Sequence, residues 1–294
     1  MYDIKALYEA QSVEHAVALR LEHPQAQLIA GGSDVLVQIR EGRRAGAELI
    51  SIYGLDCLRG VRLEEDGTLR IGSLTSFSHI TRDPLIQKYI PVLGEAVDQA
   101  GGPQLRAVGT IGGNVCNGIT SADSASTLLA LDARLRVKGP RGERDVPISQ
   151  WYKGVGKVDL APYELLVKIV IPRDNYEGYT GHYIKYAMRN AMDIATTGCS
   201  VNVVLSEDKK AVARARIAYG VAGPIPLRCA CAEAAAQGRP LTEETVEAFA
   251  AAVLEDIHPR DSWRASKAFR EHIAVELARR GLRESIKLAG GELA

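Results

Sequence analysis

The stretch Val108–Ala125, "VGTIGGNVCNGITSADSA", places four glycines, two asparagines and several small hydroxyl residues together in a chain of 294 residues. Glycine loses the most conformational freedom on folding, so such a cluster needs a turn with positive φ or a backbone that must approach a ligand closely. A second glycine cluster, "AGGSD" (Ala30–Asp34), follows the short apolar run "QLIA". Neither cluster fits G-x-G-x-x-G at the start of a first βαβ unit, and neither ends in the G-K-[ST] of a nucleoside-triphosphate loop. An ordinary dinucleotide fold is therefore excluded. A single Gly-Gly pair is most often a structural turn. Two clusters together can offer backbone N–H groups to a diphosphate, with Ser33, Thr110 and Asn114 adding side-chain hydrogen bonds.

Outward from these clusters the chain mixes helix and strand. Residues 12–23, "SVEHAVALRLEH", put Val13, Ala16, Val17, Arg20 and Leu21 on one helical stripe, with Ser12 as N-cap, and this helix is expected to open the fold. Strand-like runs follow in "QLIA", "ELISIY" and "TLRIGSLT". In "DPLIQKYIPVLGEAVDQA" apolar residues recur at helical spacing. After the opening stretch, "ADSASTLLALDA" is expected as a helix and "RLRVKG" and "ELLVKIVIP" as strands. Past Pro172 the character changes. "CSVNVVLS" and "ARARIAYGVA" predict antiparallel strands, and the remainder after "GPIPLR" is helical. A boundary falls in the turn-rich "PRDNYEGYTGH", which divides the chain into 1–176 and 177–294.

Composition narrows the function. The 36 basic and 36 acidic residues cancel, leaving no electrostatic footprint for nucleic acid or an anionic membrane surface. No apolar run approaches the roughly 20 residues of a membrane span, and the charged start does not resemble a signal peptide, so a cytoplasmic location is expected. The five cysteines, Cys57, Cys116, Cys199, Cys229 and Cys231, are odd in number and contain no C-x-x-C pair, which suits free thiols and no metal site. None of the six histidines sits in a glycine cluster, and no Ser-His-Asp or paired-carboxylate arrangement is evident.

Four motifs, "AGGSDVLVQ", "GTIGGNVCNGITSADSA", "KYAMRNAMDIA" and "DSWRASKAFR", in this order and spacing resemble the FAD-binding subunits of the molybdenum hydroxylase family, those of the xanthine dehydrogenase kind above all. The resemblance covers essentially the whole chain. It implies an α+β fold: a two-subdomain FAD-binding domain of the vanillyl-alcohol oxidase type, followed by an antiparallel sheet with helices as in carbon monoxide dehydrogenase flavoproteins. It places a first pyrophosphate loop on Gln27, Leu28, Ile29, Ala30, Gly31, Gly32, Ser33 and Asp34, and a second on Gly109, Thr110, Ile111, Gly112, Gly113 and Asn114. The glycines would then let the backbone close on the FAD diphosphate.

By the same resemblance Asp123 contacts the ribose side of the cofactor, although it is equally an N-cap for the helix that follows. Leu165 or Leu166 and Lys185 match further cofactor contacts. The two leucines are equally plain core. Lys185 is either a charge near the isoalloxazine that favours reduced flavin or a solvated strand lysine. The implied cofactor is noncovalent FAD, with NAD+ as co-substrate. A molybdopterin would lie in a large partner subunit and two [2Fe-2S] clusters in a small one. The chain itself has no metal and no acid–base pair. A carbon monoxide, aldehyde or nicotinate hydroxylase subunit is an alternative, as is a free-standing flavin reductase. "SWRAS" (Ser262–Ser266) is assigned no chemical role beyond placing the last helix.

Overall fold

The computed structural model describes residues 2–294. A strand, β1 (Ile4–Glu9), comes first, so the expected opening helix is second. All six residues of β1 are half-buried or exposed, and its sequence IKALYE has no regular apolar–polar alternation, which removes the period that would mark it as a strand. Helix α1 (Val13–Glu22) follows, and Ser12 caps it by accepting from the His15 N–H at 3.0 Å. Then come β2 (Gln27–Ile29), α2 (Val35–Arg40) and β3 (Ala47–Ser51). The three strands form a parallel sheet in the order β1-β3-β2, with Leu28 opposite Ile50. Ala16, Val17, Leu19, Ile50, Ile52 and Leu58 form the core of this first subdomain, which Leu74 and Leu165 join from the second.

The second subdomain begins with β4 (Val61–Leu63) and β5 (Leu69–Gly72). A run of short helices follows: α3 (Phe77–Arg82), α4 (Pro84–Tyr89), α5 (Pro91–Asp98), α6 (Pro103–Val108), α7 (Ile111–Cys116) and α8 (Asp123–Ala130). The helical run expected at 83–100 is split at Pro91, which has no N–H to continue α4. Strands β6 (Arg134–Gly139) and β7 (Gly142–Pro147), helix α9 (Ile148–Trp151), the hairpin β8 (Tyr152–Gly154) and β9 (Lys157–Val158), and β10 (Leu165–Ile171) complete it. The sheet order is β4-β5-β10-β6-β7, so the near-continuous apolar run of β10 lies in the middle, with Ile169 opposite both Ile71 and Leu135.

The last unit is an antiparallel sheet of β11 (Thr180–Tyr186), β12 (Thr197–Leu205), β13 (Val212–Gly220) and β14 (Leu227–Arg228). Helices α10 (Ala230–Ala236), α11 (Glu243–Ala252) and α12 (Lys267–Leu288) follow. Ser266 of the "SWRAS" motif caps α12, accepting from the Phe269 N–H. Helix α12 lies on β11 and β12, where Ser285 Oγ donates to the Val201 carbonyl at 2.9 Å. No helix among the described residues is long and apolar enough to cross a membrane.

The antiparallel sheet packs on α5 and α8 of the second subdomain. Tyr183 of β11 is buried against Val92 and Ala96. Beside it, Glu95 accepts from the Tyr183 N–H and pairs with His182 Nδ1, each at 3.2 Å. This hydrogen bond raises the His182 pKa. A raised imidazole pKa stabilises the fold fully below the unfolded value of about 6.5 and ceases to do so as pH rises through the folded value. His182→Gln is therefore expected to lose stability at pH 5.5 but not at pH 8. Both groups are partly exposed, so the loss should stay below about 1 kcal/mol. Urea melts at the two pH values measure it, and an equal loss at both would contradict the assignment.

Candidate functional site

A cavity of about 700 Å³ lies between the first and second subdomains, with both glycine segments in its wall. That volume is in the range of cofactor sites, roughly 300–1,000 Å³. The connection from β2 to α2 forms one side. Gly32 there has φ +73°, the left-handed conformation that glycine tolerates. Gly31 is needed for a different reason: a Cβ on it would stand 1.8 Å from the Val108 carbonyl oxygen, so the two glycine segments touch at this residue. Gly31, Gly32, Ser33 and Asp34 donate no backbone hydrogen bond among the described residues. A run of N–H groups without partners in a cavity wall is a cradle for an anion.

The second segment differs from the expected loop. Only Gly109 and Thr110 are irregular; Ile111–Cys116 is helix α7, capped by Thr110 Oγ1, which accepts from the Gly113 N–H at 3.1 Å. Its two glycines serve different ends. A Cβ on Gly112 would lie 2.6 Å from the Ser73 carbonyl oxygen, which accepts the Gly112 N–H, so this glycine is dictated by packing on the end of β5. A Cβ on Gly113 would meet only Thr110 Oγ1, at 3.0 Å, and Gly113 lines the cavity. Asn114 Oδ1 accepts from Ser124 Oγ at 2.6 Å. Its Nδ2 has no protein acceptor among the described residues, leaving a donor in the cavity wall.

Of the other expected site residues, Gln27, Leu28, Ala30, Asp123, Leu165 and Leu166 also line the cavity. Both leucines are buried in hydrophobic cores as well, so the two alternatives for them coexist. Ile29 and Ile111 are core residues outside the wall, the first packed with Ile39 and Leu49.

Asp123 is the first residue of α8, whose N-cap is Ala122, and its side chain caps nothing. Instead it accepts from the Tyr183 hydroxyl and from Lys185 Nζ, both at 3.1 Å. Lys185 is not a solvated strand lysine: its side chain is 6% exposed, and Nζ also donates to the Gln99 carbonyl at 2.9 Å. It stands behind Asp123, outside the wall. Burial raises the Asp123 pKa, while Lys185 and then Tyr183 act in the opposite direction.

Several wall residues are not among the site residues expected from the sequence. Ser73 is buried with its Oγ unpartnered. Arg20, Arg44, Phe77 and Leu105 converge from four separate segments, and Met192, Asp193 and Ile194 come from the β11–β12 connection. That connection lies in "KYAMRNAMDIA", a motif without an assigned role in the sequence. Of the cysteines, Cys57 is exposed outside the wall, and Cys116 lines it with burial pushing its thiol up to about 12. Such a thiol is not ionised at neutral pH. No cluster of three or more potential metal ligands occurs among the described residues.

These features fit FAD. The N–H run and the Asn114 amide suit a diphosphate, Ser73 Oγ lacks a partner, and Leu74, Phe77, Leu105 and Leu166 offer apolar surface to flat rings. Comparison with known proteins agrees. The FAD binding domain of molybdopterin dehydrogenases matches residues 2–174, and the carbon monoxide dehydrogenase flavoprotein C-terminal domain matches residues 182–285. The chain is 43% identical to the xanthine dehydrogenase FAD-binding subunit of Escherichia coli O157:H7 over the full length of both. It is 32% identical to the nicotinate dehydrogenase FAD-subunit of Eubacterium barkeri, covering 83% of this chain and 81% of the relative. Among solved structures, a chain of carbon monoxide dehydrogenase from Hydrogenophaga pseudoflava superposes with a TM-score of 0.92 at 30% identity, covering 98% of this chain and 99% of the other. The chain belongs to the family of FAD-binding subunits of the molybdenum hydroxylases.

Proposed function

We propose that this chain is the flavoprotein subunit of a xanthine or purine dehydrogenase. Its partners are a small subunit with two [2Fe-2S] clusters and a large subunit with a molybdopterin, and its electron acceptor is NAD+. The observation that carries the choice of enzyme is the full-length identity of 43% to a xanthine dehydrogenase subunit, against 32% to the nicotinate relative. Bound FAD would supply the ability to take two electrons one at a time from clusters, with one proton from solvent, and give them up together as a hydride. The chain's own residues need only hold and enclose it. Gly31–Asp34 and Asn114 present donors to the diphosphate, and the apolar part of the wall offers surface to the ring. The buried carboxylate of the wall, Asp123, is already taken by Lys185, so the proton that accompanies the electrons would come from solvent.

The test is purification with any attached subunits from the native host, followed by assay with xanthine and NAD+. Xanthine-dependent NAD+ reduction by the complex is expected. The flavoprotein alone should oxidise NADH with an artificial dye and leave xanthine untouched. A complex that oxidises nicotinate or carbon monoxide and not a purine would overturn the substrate assignment.

The flavin should be noncovalent. Acid precipitation is expected to release all of it, and Cys116→Ala should bind as much as the wild type, because the thiol in the wall is un-ionised. Yellow colour that stays with the precipitate would contradict this.

A further inference from the structure

Arg20 is the cation of the cavity wall that no protein group answers. It lies in the last turn of α1, half-buried, and its Nε is fully enclosed without an acceptor. Among the described residues it has no carboxylate within ion-pair distance. Arg106, Arg59 and Arg228 are matched by Asp98 at 3.2 Å, Asp56 at 3.3 Å and Glu233 at 2.7 Å. Arg270 and Arg216 lack a carboxylate too, but the guanidinium of Arg270 donates to the Thr196 carbonyl and Ser262 Oγ and that of Arg216 to the Ala130 and Asn175 carbonyls, whereas Arg20 donates to no protein acceptor among the described residues. Arg44, also in the wall, is held by the side-chain oxygens of Gln38 and Gln27 at 2.5 and 3.1 Å. The carboxylates of the wall are engaged elsewhere. Asp123 pairs with Lys185, Asp193 with Arg189, and Asp34 accepts from Gln38.

A guanidinium does not neutralise itself when buried, so a half-enclosed arginine without a counter-ion is unfavourable until an anion arrives. Burial already opposes its charged form. Its planar fork of donors matches phosphate oxygens in particular. Arg20 also precedes β2 by a few residues, and the end of β2 carries the N–H run of Gly31–Asp34, so both belong to the wall of the first subdomain.

We propose that Arg20 binds the diphosphate of the FAD, as the charged complement of the Gly31–Asp34 backbone cradle. The inference rests on the assignment of the cavity to FAD. Oxidised FAD carries its negative charge on the two phosphates alone, and riboflavin has the same ring without them. Arg20 is thereby a determinant of selectivity for the dinucleotide over the bare flavin.

The experiment compares apo-protein of the wild type, Arg20→Met and Arg20→Lys by flavin fluorescence titration with FAD and with riboflavin, and by thermal melting without ligand. Arg20→Met should bind FAD roughly 10- to 100-fold more weakly, the range for losing a hydrogen bond to a charged group. Riboflavin affinity should stay the same. Arg20→Lys should recover part of the FAD affinity through its charge. The ligand-free Arg20→Met protein should melt no lower than wild type, because an unpaired half-buried cation has been removed, whereas a merely structural arginine would lower it. FAD affinity within twofold of wild type in Arg20→Met overturns the proposal, as does an equal loss for FAD and riboflavin. A wild-type protein that binds no FAD would instead remove the cofactor assignment itself.

Discussion

Gly31→Ala is expected to destabilise the protein, while Gly113→Val keeps the fold and loses the cofactor. The added carbon at Gly31 would sit 1.8 Å from the Val108 oxygen and 2.7 Å from its carbon, both backbone atoms that no rotamer change can clear. The glycine segments would have to separate, at a cost at or above the roughly 1–3 kcal/mol of ordinary overpacking. Gly112→Val belongs with it, since the clash there is with the Ser73 backbone. Gly113 is different. Its one close neighbour is the Thr110 hydroxyl at 3.0 Å, and in a helix valine is favoured over glycine by a few tenths of a kcal/mol. Urea midpoints should fall for Gly31→Ala and Gly112→Val and remain near wild type for Gly113→Val. Flavin occupancy should fall in all three. Full occupancy in Gly113→Val would show that the diphosphate does not lie against α7.

What the sequence reveals of this fold follows where the physical constraint is local. Ser12 marks a helix start because the cap is a bond to a residue three positions on. The buried strand β10 shows as an apolar run interrupted only by Lys168, in keeping with its place between two neighbouring strands. Strand β7, "GERDVP", has one buried residue and therefore no period. Helix α7 is hidden for the opposite reason. Two glycines in six residues argue against a helix, and it is tertiary contact that holds it: Trp151 Nε1 donates to the Val115 carbonyl at 3.1 Å, and Thr110 supplies the cap. The candidate site divides in the same way. Its glycine segments are visible because backbone needs leave a compositional trace. Ser73 and Arg20 are ordinary residues, made notable by a cavity assembled from distant segments. The partner of Lys185 is 62 residues away, and no local pattern announces a pair across that distance.

That pair supports the second large effect. Lys185→Met should cost about 3–5 kcal/mol, the loss for breaking a buried ion pair on one side only, because the Asp123 carboxylate would stay buried with the Tyr183 hydroxyl as its remaining partner. A surface lysine would cost almost nothing. The double variant Asp123→Asn with Lys185→Met should be more stable than Lys185→Met alone, since neither charge is left without its counterpart. The pH dependence has a definite sign. With Lys185 gone, burial holds the Asp123 pKa above its unfolded value of about 3.9, so the acid form is favoured in the fold. The penalty of Lys185→Met should shrink as the pH falls toward 4 and grow as it rises through the folded pKa. Urea melts at pH 5 and pH 8 read this directly, and a loss below 1 kcal/mol at both would mean that the pair is not coupled. The same charge balance is expected to act on the reduction potential of bound flavin. Because Asp123 neutralises Lys185, removing only the lysine leaves a carboxylate in the cavity wall, which disfavours an anionic reduced ring and should lower the midpoint at pH 8. Removing both charges should restore it toward wild type. An equal midpoint in the single and double variants would show that Asp123 does not communicate the charge of Lys185 to the cavity.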